Sequence, residues 1–77
     1  MTDQLIEIFA NILGVPATEL DEQTSPKTTP AWDSMAGIML VTEIEATFGV
    51  ELTTSDIEMM SSIGQARAVL KRLGVST

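Results

Sequence analysis

All three prolines of the 77-residue chain, Pro16, Pro26 and Pro30, fall between Gly14 and Asp33. A proline in a helix interior removes a backbone N–H and clashes with the preceding turn, so helices must lie on either side of this stretch. The stretch itself, with Thr, Ser and Asp among its prolines, reads as a connection. A structureless connection of about 20 residues is uncommon inside a compact domain, so this one is expected to be functional, disordered or pinned by side chains. Val15, Leu20 and Trp32 are the candidate pins, and Thr18 to Asp21 are expected to form at most a single helical turn. Trp32, the only tryptophan, is expected to anchor the start of the next helix through its buried area, the alternative reading being direct contact with a group held at that helix start.

Before the connection, Leu5, Ile8, Phe9 and Ile12 recur at the spacing of one helix face, with Ile6 and Leu13 widening the stripe. This predicts a helix over residues 3–13, with Thr2 as its cap, Gly14 as a left-handed stop and Pro16 barring continuation. After the connection a helix is predicted from Ser34 to Phe48. On a 3.6-residue wheel its core face is Leu40, Val41, Ile44 and Phe48, with Gly37, while Met35, Ile38, Met39 and Thr42 fall almost opposite. That second stripe is either a docking patch or covered by neighbouring loops, and Met, being flexible and polarisable, suits a docking patch. Gly49 stops the helix, and Val50 and Leu52 form a short link.

Ser55 with Glu58, and Ser62 with Gln65, each fit the capping-box spacing, which predicts a short helix over 55–60 and a last helix over 63–73. Ala66, Val69, Leu70 and Leu73 share a face of the latter, Lys71 and Arg72 complement its dipole, and Gly74 ends it. Ile57, Met60 and Ile63 are expected in the core. The expected fold is all-α: a small four-helix bundle of three longer helices and a short third one, with a long first loop, residues 1–77 forming one domain. Its core is expected to centre on Phe9, Leu40, Ile44, Phe48 and Leu70.

With no cysteine the chain has no disulfide or thiolate chemistry, and with no histidine as well it has no zinc site of the usual ligands and no Ser-His-Asp triad. No stretch fits the ligand spacing of a calcium-binding loop, so no metal is expected. Eleven acidic residues against four basic ones give a net charge of −7, which opposes nucleic acid and anionic membranes and favours a basic partner surface. Three of the four basic residues, Arg67, Lys71 and Arg72, lie near the end, leaving an acidic first two-thirds. No signal-like or long apolar run is present, so the expectation is a soluble, unexported, cytoplasmic monomer that is not itself an enzyme, since nothing pairs a base with a nucleophile.

The candidate site is Asp33-Ser34. It sets the Ser34 hydroxyl at the first turn of a helix, where free N–H groups and the dipole favour an anion such as a phosphodiester. Asp-Ser at a helix start is also ordinary capping chemistry, and the alternative reading is an unmodified acidic helical interaction module.

The segment Asp33-Ser34-Met35, followed by Glu43-Ile44-Glu45-Ala46-Thr47-Phe48-Gly49-Val50-Glu51-Leu52, resembles the acyl carrier protein family, which usually reads Asp-Ser-Leu and then Leu-Glu-x-x-Phe-Gly-Ile-x-Ile. The likeness extends over nearly the whole chain through its length, acidic balance, long Pro-bearing loop and two short final helices. It implies that Ser34, with Asp33 beside it, carries 4'-phosphopantetheine, whose thiol holds an acyl or aminoacyl group as a thioester. The implied partners are a phosphopantetheinyl transferase, an acyl- or aminoacyl-loading ligase or transferase, and downstream synthases. Docking is expected on Met35, Ile38, Met39 and Thr42, with Glu43 and Glu45 steering a basic partner. Ala36 and Met39 stand where carriers of general fatty-acid synthesis often place Asp or Glu, which points to a discrete carrier of a dedicated pathway.

Overall fold

A computed structural model describes residues 3–76. Among the described residues there are four α-helices and no strand: α1 (Gln4–Leu13), α2 (Ser34–Phe48), α3 (Thr54–Met59) and α4 (Ile63–Arg72), with a 3-10 turn at Ala17–Glu19 in the long first loop. That turn starts one residue before the expected one and stops two short of it.

Thr2, the expected cap of α1, lies outside the described residues; Asp3 caps the helix, its Oδ1 accepting from the N–H groups of Leu5 (3.1 Å) and Ile6 (3.2 Å). The buried ridge is the four-spaced row Leu5, Phe9 and Leu13, with Ile8 beside it. Ile12, expected on this face, is only half-buried. Gly14 and Gly49 end α1 and α2 in the left-handed region, at φ 69° and 66°, where any other side chain would be strained.

α1 packs against α2 and α4, and α3 packs on α4. Phe9, Leu5, Leu40, Ile44, Ile63 and Leu70 are fully buried where these helices meet. The face α2 turns inward is Ala36, Leu40 and Ile44, again a four-spaced row. Val41 and Phe48, expected with them, are half-buried; Phe48 is the last residue of α2 and packs, with Val50 and Leu52, against the edge of the cluster rather than within it. Met60, also expected in the core, is likewise half-buried against it. Ala36 is buried, so the idea of a missing surface carboxylate does not apply to this position.

The expected Ser55–Glu58 capping box is displaced by an equivalent one two residues earlier. Thr53 Oγ1 accepts from the Asp56 N–H and Asp56 Oδ2 accepts from the Thr53 N–H, both at 3.1 Å. The other Asp56 oxygen meets the Arg72 guanidinium of α4 at 2.5 Å, an ion pair that Ser55–Glu58 capping would not supply; Asp56 is buried, and Ile57, expected in the core, is 42% exposed. Ser62 caps α4 as expected, accepting from Gln65 N–H. Leu73 lies past the end of α4 and is exposed rather than core, with Gly74 left-handed behind it.

The long loop is pinned mainly by polar groups. The Ile63 N–H donates to the Thr24 carbonyl (3.0 Å) and the Gly64 N–H to the Glu22 carbonyl (2.8 Å), so the first turn of α4 uses its free donors to hold the loop. Arg67 bridges Glu22 and Asp3, each at 2.7 Å, tying the loop and the start of α1 to α4. Of the expected pins, Trp32 is buried and Val15 and Leu20 pack partly against the core.

Candidate functional site

The loop delivers Ser34 to the first position of α2. Trp32 fixes the approach: its ring lies edge-on to Phe9, with centroids 4.9 Å apart and planes at 63°, and only 7% of the residue is exposed. Asp33 is the N-cap, its Oδ1 accepting from the Ala36 N–H at 2.9 Å and its carbonyl from the Gly37 N–H. Its role toward Ser34 is therefore to start the helix, and no hydrogen bond joins the two side chains.

Ser34 is exposed, and its hydroxyl makes no hydrogen bond to the described residues. The N–H groups of Ser34 and Met35 likewise donate to none of them. A bare hydroxyl beside two free donors at the positive end of a 15-residue helix suits an ester of a phosphate.

Beside Ser34 an apolar groove of about 340 Å³ runs between α2 and α3. Gly37, Ile38 and Val41 line it from α2, Ile57 and Met60 from α3 and its C-cap, and Trp32 and Ser34 line it as well. A slender chain with apolar and amide portions could lie in it. The residues present thus fit an attached phosphopantetheine: a reachable hydroxyl, donors for the phosphodiester, and an apolar groove for the arm.

The residues expected to meet partners are not equivalent. Met35, Ile38 and Met39 are 72%, 68% and 48% exposed, and Thr42 is exposed with its hydroxyl donating to the Ile38 carbonyl. Glu43 is exposed and accepts from Thr47. Glu45 is half-buried, and its Oε2 accepts from the Leu52 N–H at 2.8 Å, fixing the link into α3. Ile57 and Met59 join the exposed apolar surface, and no local signal in the sequence marked them, because the two capping spacings around Asp56 are locally equivalent.

Electrostatics support the frame rather than the site. The Thr53 backbone N–H, then the Thr53 side chain and Arg72, hold the Asp56 carboxyl below its usual pKa against the opposing effect of burial. Burial also acts to raise Asp3, but Arg67 and the N–H groups of Ile6 and Leu5 outweigh it and lower its pKa. Among the described residues no cluster of acidic side chains is arranged to hold a metal, and no helix is long and apolar enough to cross a membrane.

The family model described as the phosphopantetheine attachment site matches residues 3–70. Members of that family carry covalently attached 4'-phosphopantetheine, act as carriers rather than catalysts, and work with phosphopantetheinyl transferases and biosynthetic enzymes. The match begins at the cap of α1 and runs into α4, taking in the loop, the Asp33-Ser34 step and the groove, and by it this all-helical chain belongs to the phosphopantetheine attachment family, the carrier domains that its sequence resembles.

Proposed function

We infer that Ser34 is the residue that carries the arm, and that the chain presents acyl or aminoacyl intermediates, held as thioesters on the arm's thiol, to the enzymes of a dedicated pathway in the cytoplasm. The observation that carries the reading is the unpartnered, exposed Ser34 hydroxyl at the start of α2, next to free backbone donors and the apolar groove. On attachment the Ser34 oxygen attacks phosphorus of a diphosphate-linked phosphopantetheine donor; the new P–O bond forms as the bond to the departing nucleotide phosphate breaks, and the Ser34 proton must be taken by the transferase, because the chain contains no histidine and Asp33 is engaged with α2.

Partners dock across Met35, Ile38 and Met39, with Thr42 and Glu43 at the rim and the charge of Glu45 behind them. An enzyme reaching Ser34 has to pass over these side chains, and the acidic balance steers a basic one. The single folded unit around one core suffices for this, and a monomer leaves the surface open.

The test is the intact mass after co-expression with a broad-specificity phosphopantetheinyl transferase. Wild type is expected to gain one phosphopantetheine group and Ser34→Ala none. An adduct that persists in Ser34→Ala, or that fails to form on wild type with several transferases, overturns the assignment in favour of an unmodified interaction module.

A further inference from the structure

Trp32 has a polar atom that its packing does not explain. The residue is more than nine-tenths buried, yet its Nε1–H has no acceptor among the described residues. No side-chain nitrogen or oxygen among the described residues is both sealed from solvent and unpaired, so Nε1 must open outward. The indole lines the groove, and Nε1 is the atom that faces Gly37, 4.0 Å from where a Cβ of that residue would stand. Gly37 lies one turn beyond Ser34 on α2 and also lines the groove. A phenylalanine would fill the same place against Phe9 without a donor, so burial alone does not call for an indole.

We propose that the Trp32 Nε1–H is a binding donor of the groove, giving its hydrogen bond to an oxygen acceptor of the phosphopantetheine arm. The proposal rests on Ser34 carrying that arm. An arm leaving Ser34 along the groove passes Gly37, where the absence of a Cβ leaves the flank of Nε1 uncovered. The groove walls are otherwise aliphatic apart from the Ser34 and Thr42 hydroxyls, and the Thr42 hydroxyl already donates to the Ile38 carbonyl. An arm that has amide and hydroxyl oxygens therefore meets one fixed, rigid donor, held by a ring that Phe9 keeps from turning. The consequence is a preferred resting position for the arm, released when a partner binds it more tightly.

The test uses the full chain labelled with nitrogen-15, before and after loading, with loading verified by intact mass. Because Trp32 is the only tryptophan, one indole N–H resonance reports the site. On loading, its exchange with solvent is expected to slow roughly 2- to 10-fold, the range of one net hydrogen bond, and cross-relaxation to arm protons is expected to appear. Trp32→Phe, which retains a ring against Phe9, is expected to load but to leave the arm's methyl groups more mobile in carbon-13 relaxation. An indole resonance of unchanged exchange in protein of verified loaded mass, or an equally restrained arm in loaded Trp32→Phe, overturns the role of Trp32 and leaves Ser34 attachment standing. Absence of any adduct overturns the Ser34 assignment and removes this proposal with it.

Discussion

Gly64→Ala is expected to destabilise the protein, opposite to the usual direction of that change in a helix. Helix propensity alone favours alanine by up to about 1 kcal/mol. At this position a Cβ would stand 2.8 Å from the Glu22 carbonyl oxygen and 3.3 Å from Glu22 Cβ. The first contact is with backbone and cannot rotate away, so the loop must move. Moving it lengthens the 2.8 Å bond from Gly64 N–H to Glu22, the adjoining 3.0 Å bond from Ile63 to Thr24, and the 2.7 Å Arg67–Glu22 pair. Keeping the loop in place costs about 1–3 kcal/mol of overpacking. Letting it go loses one or two hydrogen bonds at about 1 kcal/mol each and a half-exposed ion pair of at most about 1 kcal/mol. These routes are alternatives of about 1–3 kcal/mol each, and after the full propensity gain either leaves a net loss of up to about 2 kcal/mol. For a domain of this size that lowers Tm by up to roughly 15 °C. Urea unfolding followed by Trp32 fluorescence measures it. Gly37→Ala is the internal control, since its Cβ would meet nothing closer than Trp32 Nε1 at 4.0 Å; it is expected to stabilise by about 0.5–1 kcal/mol. If both variants shift the midpoint in the same direction, the pinning of the loop on α4 is wrong.

Phe9→Ala is expected to cost about 3–5 kcal/mol and Phe48→Ala distinctly less, about 1–3 kcal/mol, because only the first ring is fully enclosed; equal losses in chemical denaturation would contradict the burial order. Met39→Glu is expected to leave the melting curve nearly unchanged, since Met39 is 48% exposed, while raising the carrier concentration needed for half-maximal loading by its cognate enzyme; an unfolded variant, or unaltered loading kinetics, would count against docking there. Acid should weaken the fold through Asp3 and Asp56. Their folded pKa values lie below the unfolded 3.8, so their stabilisation is present above that value and is lost as pH falls through the lower, folded values. Denaturation midpoints measured from about pH 5 down to about pH 2 should therefore decline, and a flat profile would contradict the assigned partners.

The features legible in the order of residues are those that short-range physics controls. The four helices and their order followed from periodicity and from glycine stops at Gly14 and Gly49. The Asp33-Ser34 step was legible because a helix start needs only a cap and the next three residues, and Ser34 lies where that reading put it. The same wheel put Met35, Ile38 and Met39 opposite Leu40 and Ile44, but it left open whether loops cover that stripe, and the packing leaves all three exposed.

Choices that are locally equivalent were settled by long-range packing. Thr53–Asp56 and Ser55–Glu58 offer the same capping spacing, and Arg72, sixteen residues beyond Asp56, selected the first. A wheel gives the direction of a face but not where a neighbouring helix ends along it, so Ala36 was buried and Phe48 left at the edge. The long loop looked free of structure because its fasteners lie elsewhere in the chain: the N–H groups of Ile63 and Gly64, and Arg67, become available to it only once α4 has formed and docked. The groove beside Ser34 has the same origin, since its second wall, Ile57 and Met60, exists only where α4 and the Glu45–Leu52 bond hold α3 across from α2.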